Sequence, residues 1–513
     1  MGIRRTGIAL WAAVLLVLGA MGVSPAGASS PRCFGAHATI VGTQGNDDLR
    51  GTAGPDVIVA LAGHDTIRSG PGNDRVCSGA GNDLVVAGRG ADRVGAGPGH
   101  EDEVFGGPGD DYLKGGPGFI DRLDGGPGDD HLDGGRGEAD HAIYEGTSND
   151  IVANLSTGVI TGVGRDTVAS IEAVHGGTGD DLLIGNADPN DLAGEDGDDR
   201  IFGRGGDDFF LAGLDGHDRI LGEGGEDSLL GGDGGDVLKG GPGDFDFVQP
   251  GFGKDTASGG SGYDLLVYTF TTFPEVAPGV TVDLAAGTAI GQGSDSVPGF
   301  EEVWGSDGDD DVLFGTGAFN ELIGFGGDDE LYGRGGDDSL VPGRGDDIID
   351  GGPDVPGTFD IADFGFISVF EEPHASVTVD LQAGVATGQG DDLLTAVEGV
   401  VGTPHDDSVF GDAGSNLLVG LDGSDLMKGR AGDDLLDGDL ILFEGIHLPG
   451  TDTLDGGPDT DLCVGGEITV SCETTETSAR SQAAPLDISP LRGSHTRAEM
   501  ASQMLRTMEG ETR

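Results

Sequence analysis

The chain has 513 residues, with 26 Lys and Arg against 92 Asp and Glu, for a formal net charge of −66. That balance excludes nucleic acid as a partner, because binding a polyphosphate needs a basic face, and it disfavours contact with anionic lipid. Glycine (103 residues) and proline (23) are abundant enough for a disordered or collagen-like chain. Collagen is excluded because the period is nine rather than three. Disorder does not require an apolar residue in phase with that period.

In chain order, residues 1–28 read as a secretory signal. Arg4 and Arg5 form a basic start, residues 8–23 are apolar, and Ala26-Gly27-Ala28 offers a small-x-small cleavage site. This reading starts the mature chain near Ser29, outside the cytoplasm. No later segment has the length of a transmembrane helix. From Gly42 the chain runs GTQGNDDLR, GTAGPDVIV, ALAGHDTIR, SGPGNDRVC and SGAGNDLVV without a gap. The unit returns as GGPGDDYLK at Gly106, GGPGDDHLD at Gly125, GRGGDDFFL at Gly203 and GRGGDDSLV at Gly333. The pattern is Gly-Gly-x-Gly-x-Asp-x-apolar-x. Its first six residues must turn sharply, which glycine permits. Its last three alternate polar, apolar, polar, as a strand with one buried face does. The apolar positions are Leu49, Ile58, Ile67, Val76, Val85 and Val94 in successive units.

The units fall in four arrays separated by three spacers. A cap and the first array span 29–140, the second array 176–267 and the third 305–360, and the fourth array with its own cap 402–473. The spacers are 141–175, 268–304 and 361–401. They share a second repeat: IVANLSTGVITGVGRDTVASIEAVHG from Ile151, VTVDLAAGTAIGQGSDSVPGFEEVWG from Val280 and VTVDLQAGVATGQGDDLLTAVEGVVG from Val377. Each reads strand, Gly turn, strand, then a hydrophobic-Glu-x-Val step at Glu172, Glu301 or Glu398. The second unit after each spacer carries Asn where Asp is expected: Asn190, Asn320 and Asn416. Residues 474–513 are polar and read as a disordered tail, with Met500, Met504 and Met508 at the spacing of one short amphipathic helix.

The nonapeptide resembles the haemolysin-type calcium-binding repeat of the RTX family, and the spacers resemble the strands between nonapeptide blocks of large RTX proteins. The resemblance implies an all-β fold: a right-handed parallel β-roll or β-solenoid with calcium-binding turns, two units per coil, and wider coils at the three spacers. Turns two units apart then stack at about 4.8 Å. Two carboxylates about 5 Å apart repel by roughly 1 kcal/mol in water, and by about 3–4 kcal/mol at an effective dielectric near 20. Calcium removes the repulsion and takes six to eight oxygens, whereas magnesium demands tighter octahedral geometry. In the first array one candidate column holds Asp47, Asp65 and Asp83, and the other holds Asp56, Asp74 and Asp92. The further candidate ligands are Asp111, Asp121, Asp130, Asp181, Asp199, Asp208, Asp218, Asp227, Asp236, Asp329, Asp338, Asp347, Asp407, Asp425, Asp434 and Asp461. An Asn in a column gives an oxygen without charge, so its turn either binds calcium weakly or relieves repulsion beside the spacer.

Four cysteines fit an oxidising compartment. In a solenoid Cys33 and Cys77 lie at one end and Cys463 and Cys472 at the other, so each pair is expected to close locally as a cap. Cys33 and Cys77 would be two coils apart in a regular roll, so the leading segment must fold inward. Neither pair has the Cys-x-x-Cys step of a zinc site.

No residues are left over for a separate enzyme domain. His100-Glu101 begins like His-Glu-x-x-His, but Val104 stands at the next ligand position. No Gly-x-Ser-x-Gly elbow exists, and no twelve-residue EF-hand loop ends in its Glu. His64 and His217 occupy the variable fifth position of a unit. The expected function is that of a secreted calcium-binding repeat protein with a structural or surface-adhesion role, meeting calcium ions and cell-surface or extracellular-matrix material. The alternative is an enzyme acting on polysaccharide from the solenoid surface, but 2 Trp and 5 Tyr supply a sugar-stacking groove poorly.

Overall fold

The computed structural model describes residues 30–475, apart from 138, 270–277, 354–358, 366–374, 439–450, 466–467 and 473. The signal-peptide reading and nearly all of the tail reading, with its methionine helix, lie outside the described residues. Within them every regular element is a strand, and no helix is long and apolar enough to cross a membrane.

Each unit contributes one short strand, and successive strands alternate between two sheets. Ile58 therefore pairs in parallel with Val76 in one sheet, and Ile67 with Val85 in the other. In uninterrupted stretches of an array partners are 18 or 19 residues apart, two units per coil, and the chain stacks into a β-solenoid of about 20 turns. The apolar residue of each unit points inward. Ile58, Ile67, Val76, Val85 and Val94 are wholly buried, and the same column continues through Leu211, Leu322 and Leu436 to Cys463. Burying a Leu, Ile or Val in this way contributes about 1.5–3 kcal/mol each.

One sheet departs from the polar, apolar, polar expectation. Leu265–Val267, Glu302–Trp304, Glu321–Ile323 and Ser339–Val341 are buried at all three positions. Alternation along a strand puts their flanking residues on the outward face. There Phe247, Leu265, Val267, Trp304, Ile323, Phe325 and Val341 form a second apolar cluster. Val401, Leu417, Val419 and Leu421 form another further along.

The spacers continue the solenoid, and each gains its width by a three-strand meander in the other sheet. In the first, Val152–Asn154 runs antiparallel to Val159–Thr161, which runs antiparallel to Arg165–Ala169. The third strand pairs in parallel with the preceding coil at His131–Gly135. The first strand pairs in parallel with the following coil at Leu182–Ile184. The same meander recurs at Thr281–Asp283, Thr288–Ile290 and Ser294–Ser296, and at Thr378–Asp380, Val385–Thr387 and Asp391–Thr395. The third strand of each is an element that the strand-turn-strand reading lacks. In the second and third spacers an arginine from a nonapeptide turn locks the hairpin. Arg334 donates both ends of its guanidinium to Asp283 at 2.8 Å, and Arg430 does the same to Asp380. The first spacer has Asn154 at that position, and Arg204 pairs instead with Glu223.

Both disulfides form as expected, Cys33–Cys77 with Cα atoms 5.7 Å apart and Cys463–Cys472 with 6.0 Å. The leading segment does fold inward, as a small antiparallel hairpin of Arg32–Cys33 and Ala36–His37. It lays Phe34 under the Arg93 guanidinium at 4.8 Å. At the other end the chain makes one more short coil: Ile468–Val470, between the cysteines, adds to one sheet, and Thr474–Thr475, just past Cys472, to the other.

Candidate metal centre

Two ladders of aspartates run along the edges where the sheets meet. In each, the backbone N–H of one aspartate donates to Oδ1 of the aspartate one coil on. The first ladder passes from Asp47 to Asp65, Asp83, Asp102, Asp121 and Asp140 at 2.8–3.1 Å per step. The second passes from Asp56 to Asp74, Asp92, Asp111, Asp130 and Asp166. All 22 aspartates singled out from the sequence lie in these ladders. So do Asp102, Asp140, Asp246, Asp255, Asp264, Asp311, Asp360 and Asp452, which were not singled out. Asp102, Asp140 and Asp246 sit in units with one residue inserted before the aspartate, which hides the phase. Asp360 and Asp452 follow longer insertions.

The ladders cross the spacers differently. The first is continuous, because Glu replaces Asp there. Asp140, Asp264 and Asp360 donate to the longer Glu172, Glu301 and Glu398 side chains at 3.0–3.1 Å. The next member is the Asn. Its Nδ2 donates to the glutamate's backbone carbonyl, Asn190 to Glu172 at 3.2 Å, Asn320 to Glu301 at 3.1 Å and Asn416 to Glu398 at 3.3 Å. An aspartate there would set oxygen against oxygen, which accounts for the three asparagines. The second ladder ends at the third meander strand, on Asp166, Asp295 or Asp392. It restarts when Ile151, Val280 or Val377 donates to Asp181, Asp311 or Asp407.

What the second carboxylate oxygen does divides the turns into two kinds. At the entrance of each array it is engaged by its own turn. Thr43 donates its backbone N–H to Asp47 and Thr52 to Asp56, both at 2.6 Å, and Gly177 to Asp181, Ser306 to Asp311 and Thr403 to Asp407 at 2.5–2.9 Å. The Asn turns close in the same way, through Asn186, Thr316 and Asp412. In the interior turns the second residue is left-handed instead, as at Gly107 with φ 93° or Arg204 with φ 87°. Its N–H turns away from the carboxylate. Oδ2 of Asp65, Asp83, Asp111, Asp208, Asp236 and Asp338, among other interior aspartates, is then buried with no hydrogen-bond partner.

A buried, unpartnered carboxylate oxygen is costly. At Asp111, Asp208, Asp236 and Asp338 burial is the largest influence and raises the pKa from the ordinary 3.8, with the neighbouring aspartate of the ladder adding to it. Asp111 and Asp236 are pushed up to about 7, and Asp208 and Asp338 to about 8. Burial also pushes the entrance carboxylates Asp311 and Asp407 up to about 7, so the contrast between the two kinds of turn rests on hydrogen bonding.

The interior turns fit a hard cation. A Cβ on Gly106 would lie 2.6 Å from Asp111 Oδ2 and 2.7 Å from the Gly125 carbonyl oxygen, and a Cβ on Gly109 would run into the Gly90 carbonyl oxygen. Bare glycine lets carboxylate and carbonyl oxygens converge there, and a set of oxygens alone is the donor chemistry of calcium.

The description "RTX calcium-binding nonapeptide repeat (4 copies)" matches residues 41–76, 78–100, 101–118, 105–138, 175–210, 212–244, 305–340, 323–354 and 401–440. These segments fall in the arrays, ending at residue 244 in the second, 354 in the third and 440 in the fourth, and leave the spacers essentially unmatched. No curated protein matches the chain. Repeat motif, parallel two-unit coil and stacked aspartates agree, and the chain is an RTX-repeat protein.

Proposed function

We propose that this is a secreted protein that folds by binding many calcium ions and then serves, without catalysis, as a rigid acidic rod with a structural or surface-adhesion role. The interior aspartates of the two ladders are the ligands, through Oδ2 together with glycine carbonyls of adjacent coils. The observation that carries this is the row of buried, unpartnered Oδ2 atoms. Nothing but a cation or a proton neutralises them, and they recur at each coil of an array. Two disulfides support an oxidising compartment. Export suits such a chain: where calcium is scarce it stays unfolded, and calcium outside folds it by mass action.

Far-UV circular dichroism of the chelated chain should show coil, and calcium at about 0.1–1 mM should bring in the β signal. Full β structure in excess chelator would overturn the proposal. The surface role is tested by pull-down on cell-wall and extracellular-matrix material, with and without chelator. Retention that ignores calcium would argue against a folded adhesive rod.

A further inference from the structure

The three spacers place equivalent residues at the same point on the outward face of the sheet that carries no meander. In the second spacer Trp304 and Phe325 meet there edge to face, 5.6 Å between ring centres. In the third, Val401 and Leu421 share an apolar cluster. In the first, the equivalents are His175 and Glu195. His175 stands where Trp304 and Val401 do, one coil after His141–Ile143. Glu195 has the left-handed φ of 74° that Phe325 (69°) and Leu421 (72°) share. The scaffold thus tolerates an apolar patch at this point, and the first spacer replaces it with imidazole and carboxylate.

The replacement is arranged as a ligand set. His175 Nδ1 lies 3.3 Å from Glu195 Oε1 and 3.8 Å from Glu145 Oε1. The three ligand atoms all fall within 4.8 Å of one another. Behind them His175 Nε2 lies 2.9 Å from Nδ1 of His141, and the two rings stack at 5.1 Å. His141 is 1% exposed, and its own Nε2 is buried without a partner. With an ion on Nδ1, His175 would carry its proton on Nε2 and donate it to Nδ1 of His141. That is how a second histidine fixes the tautomer of a metal-bound one.

We infer that Glu145, His175 and Glu195 form a site for one divalent transition-metal ion of the zinc class, distinct from the calcium turns. Calcium is the wrong ion, because it takes six or more oxygens, whereas imidazole suits zinc and its neighbours. A tetrahedral ion held at about 2.0–2.2 Å sets its ligand atoms about 3.4 Å apart, which His175 and Glu195 already match at 3.3 Å, and Glu145 must draw in to join them. Three protein ligands leave the fourth position to water. Arg122, 3.2 Å from Glu145 Oε1, is the competitor for that carboxylate.

The test is titration of the full chain, without a histidine tag and in millimolar calcium, with zinc by calorimetry and with cobalt(II) by visible absorption. The expected result is one tightly held ion and a four-coordinate cobalt band. His175→Gln and Glu145→Gln should each weaken binding by at least about tenfold, with the calcium-induced circular dichroism unchanged. Glu145 is half exposed, so its exchange tests the site even if His175→Gln disturbs folding. Absence of a high-affinity zinc ion in the wild type, or equal affinity in Glu145→Gln, would overturn the inference.

Discussion

The interior turns and the entrance turns have nearly the same sequence, yet they solve one problem in opposite ways. In an interior turn the second residue is left-handed and Oδ2 is left for a cation, as at Asp208. In an entrance turn the second residue is Thr, Ser, Gly, Asn or Asp outside that region, and its N–H closes on the side-chain oxygen, as at Asp47, Asp407 and Asn190. Each array therefore begins with a coil that satisfies itself and continues with coils that require calcium. A single position, the second of the unit, decides which kind of turn is made.

The largest expected effect separates the two kinds. Changing Asp208, Asp227 and Asp246, consecutive in the first ladder, to Asn should remove bound calcium and raise the calcium midpoint of folding. It should also increase residual β structure in chelator, because it deletes buried charge. The same change at Asp47 and Asp56 should leave the calcium count unaltered. Calcium stoichiometry by atomic emission, together with circular dichroism, distinguishes these outcomes.

Protons should partly replace calcium. Interior carboxylates such as Asp92, with a folded-state pKa raised to about 6, and Asp208, with one raised to about 8, carry the pH dependence. Stability from a raised group is fully present below the unfolded value near 3.8 and is lost as pH rises through the folded value. Calcium-free protein should therefore gain β structure as pH falls from about 8 to about 5, and apparent calcium affinity should weaken over the same window. A calcium-free chain equally unfolded at both pH values would contradict this sign.

Asn190→Asp should cost about 1–3 kcal/mol by turning a donor to the Glu172 carbonyl into an acceptor, with or without calcium. Chemical denaturation in saturating calcium measures it, and a neutral result would remove the role given to the asparagine. The smallest effect is expected at the hairpin locks. Arg430→Ala removes a half-exposed pair with Asp380, a loss of about 0.2–1 kcal/mol. The matching change at Arg204, which lacks that partner, should leave the first spacer's hairpin untouched. Local hydrogen exchange at Thr378–Asp380 and at Val152–Asn154 compares the two.

Much of this was legible in the nonapeptide. The period gave the two-unit coil, the apolar eighth position gave Ile58 to Val94 as core, and the sixth position gave most of both ladders. Where the phase slips by one residue it hid Asp102 and Asp140, although the geometry simply absorbs the extra residue in the turn. The glutamate of each spacer was visible as a motif. Its place in the ladder was not, because a longer side chain reaching across a wider step is a three-dimensional fact. The antiparallel third strands were missed for the same reason: Arg165–Ala169 pairs antiparallel with its neighbour within the spacer and in parallel with the preceding coil, 36 residues earlier. The Thr or Ser at the second position of the entrance units was the available sign of their different closure.

The most direct test of the account is an anomalous difference map from a crystal grown in calcium. It should show peaks between successive interior turns, beside Oδ2 of Asp65, Asp83, Asp199, Asp208 and Asp338, and none inside the closed turns of Asp47, Asp56, Asp181, Asp311 and Asp407. Equal peaks at both kinds of turn, or none at the interior ones, would contradict it.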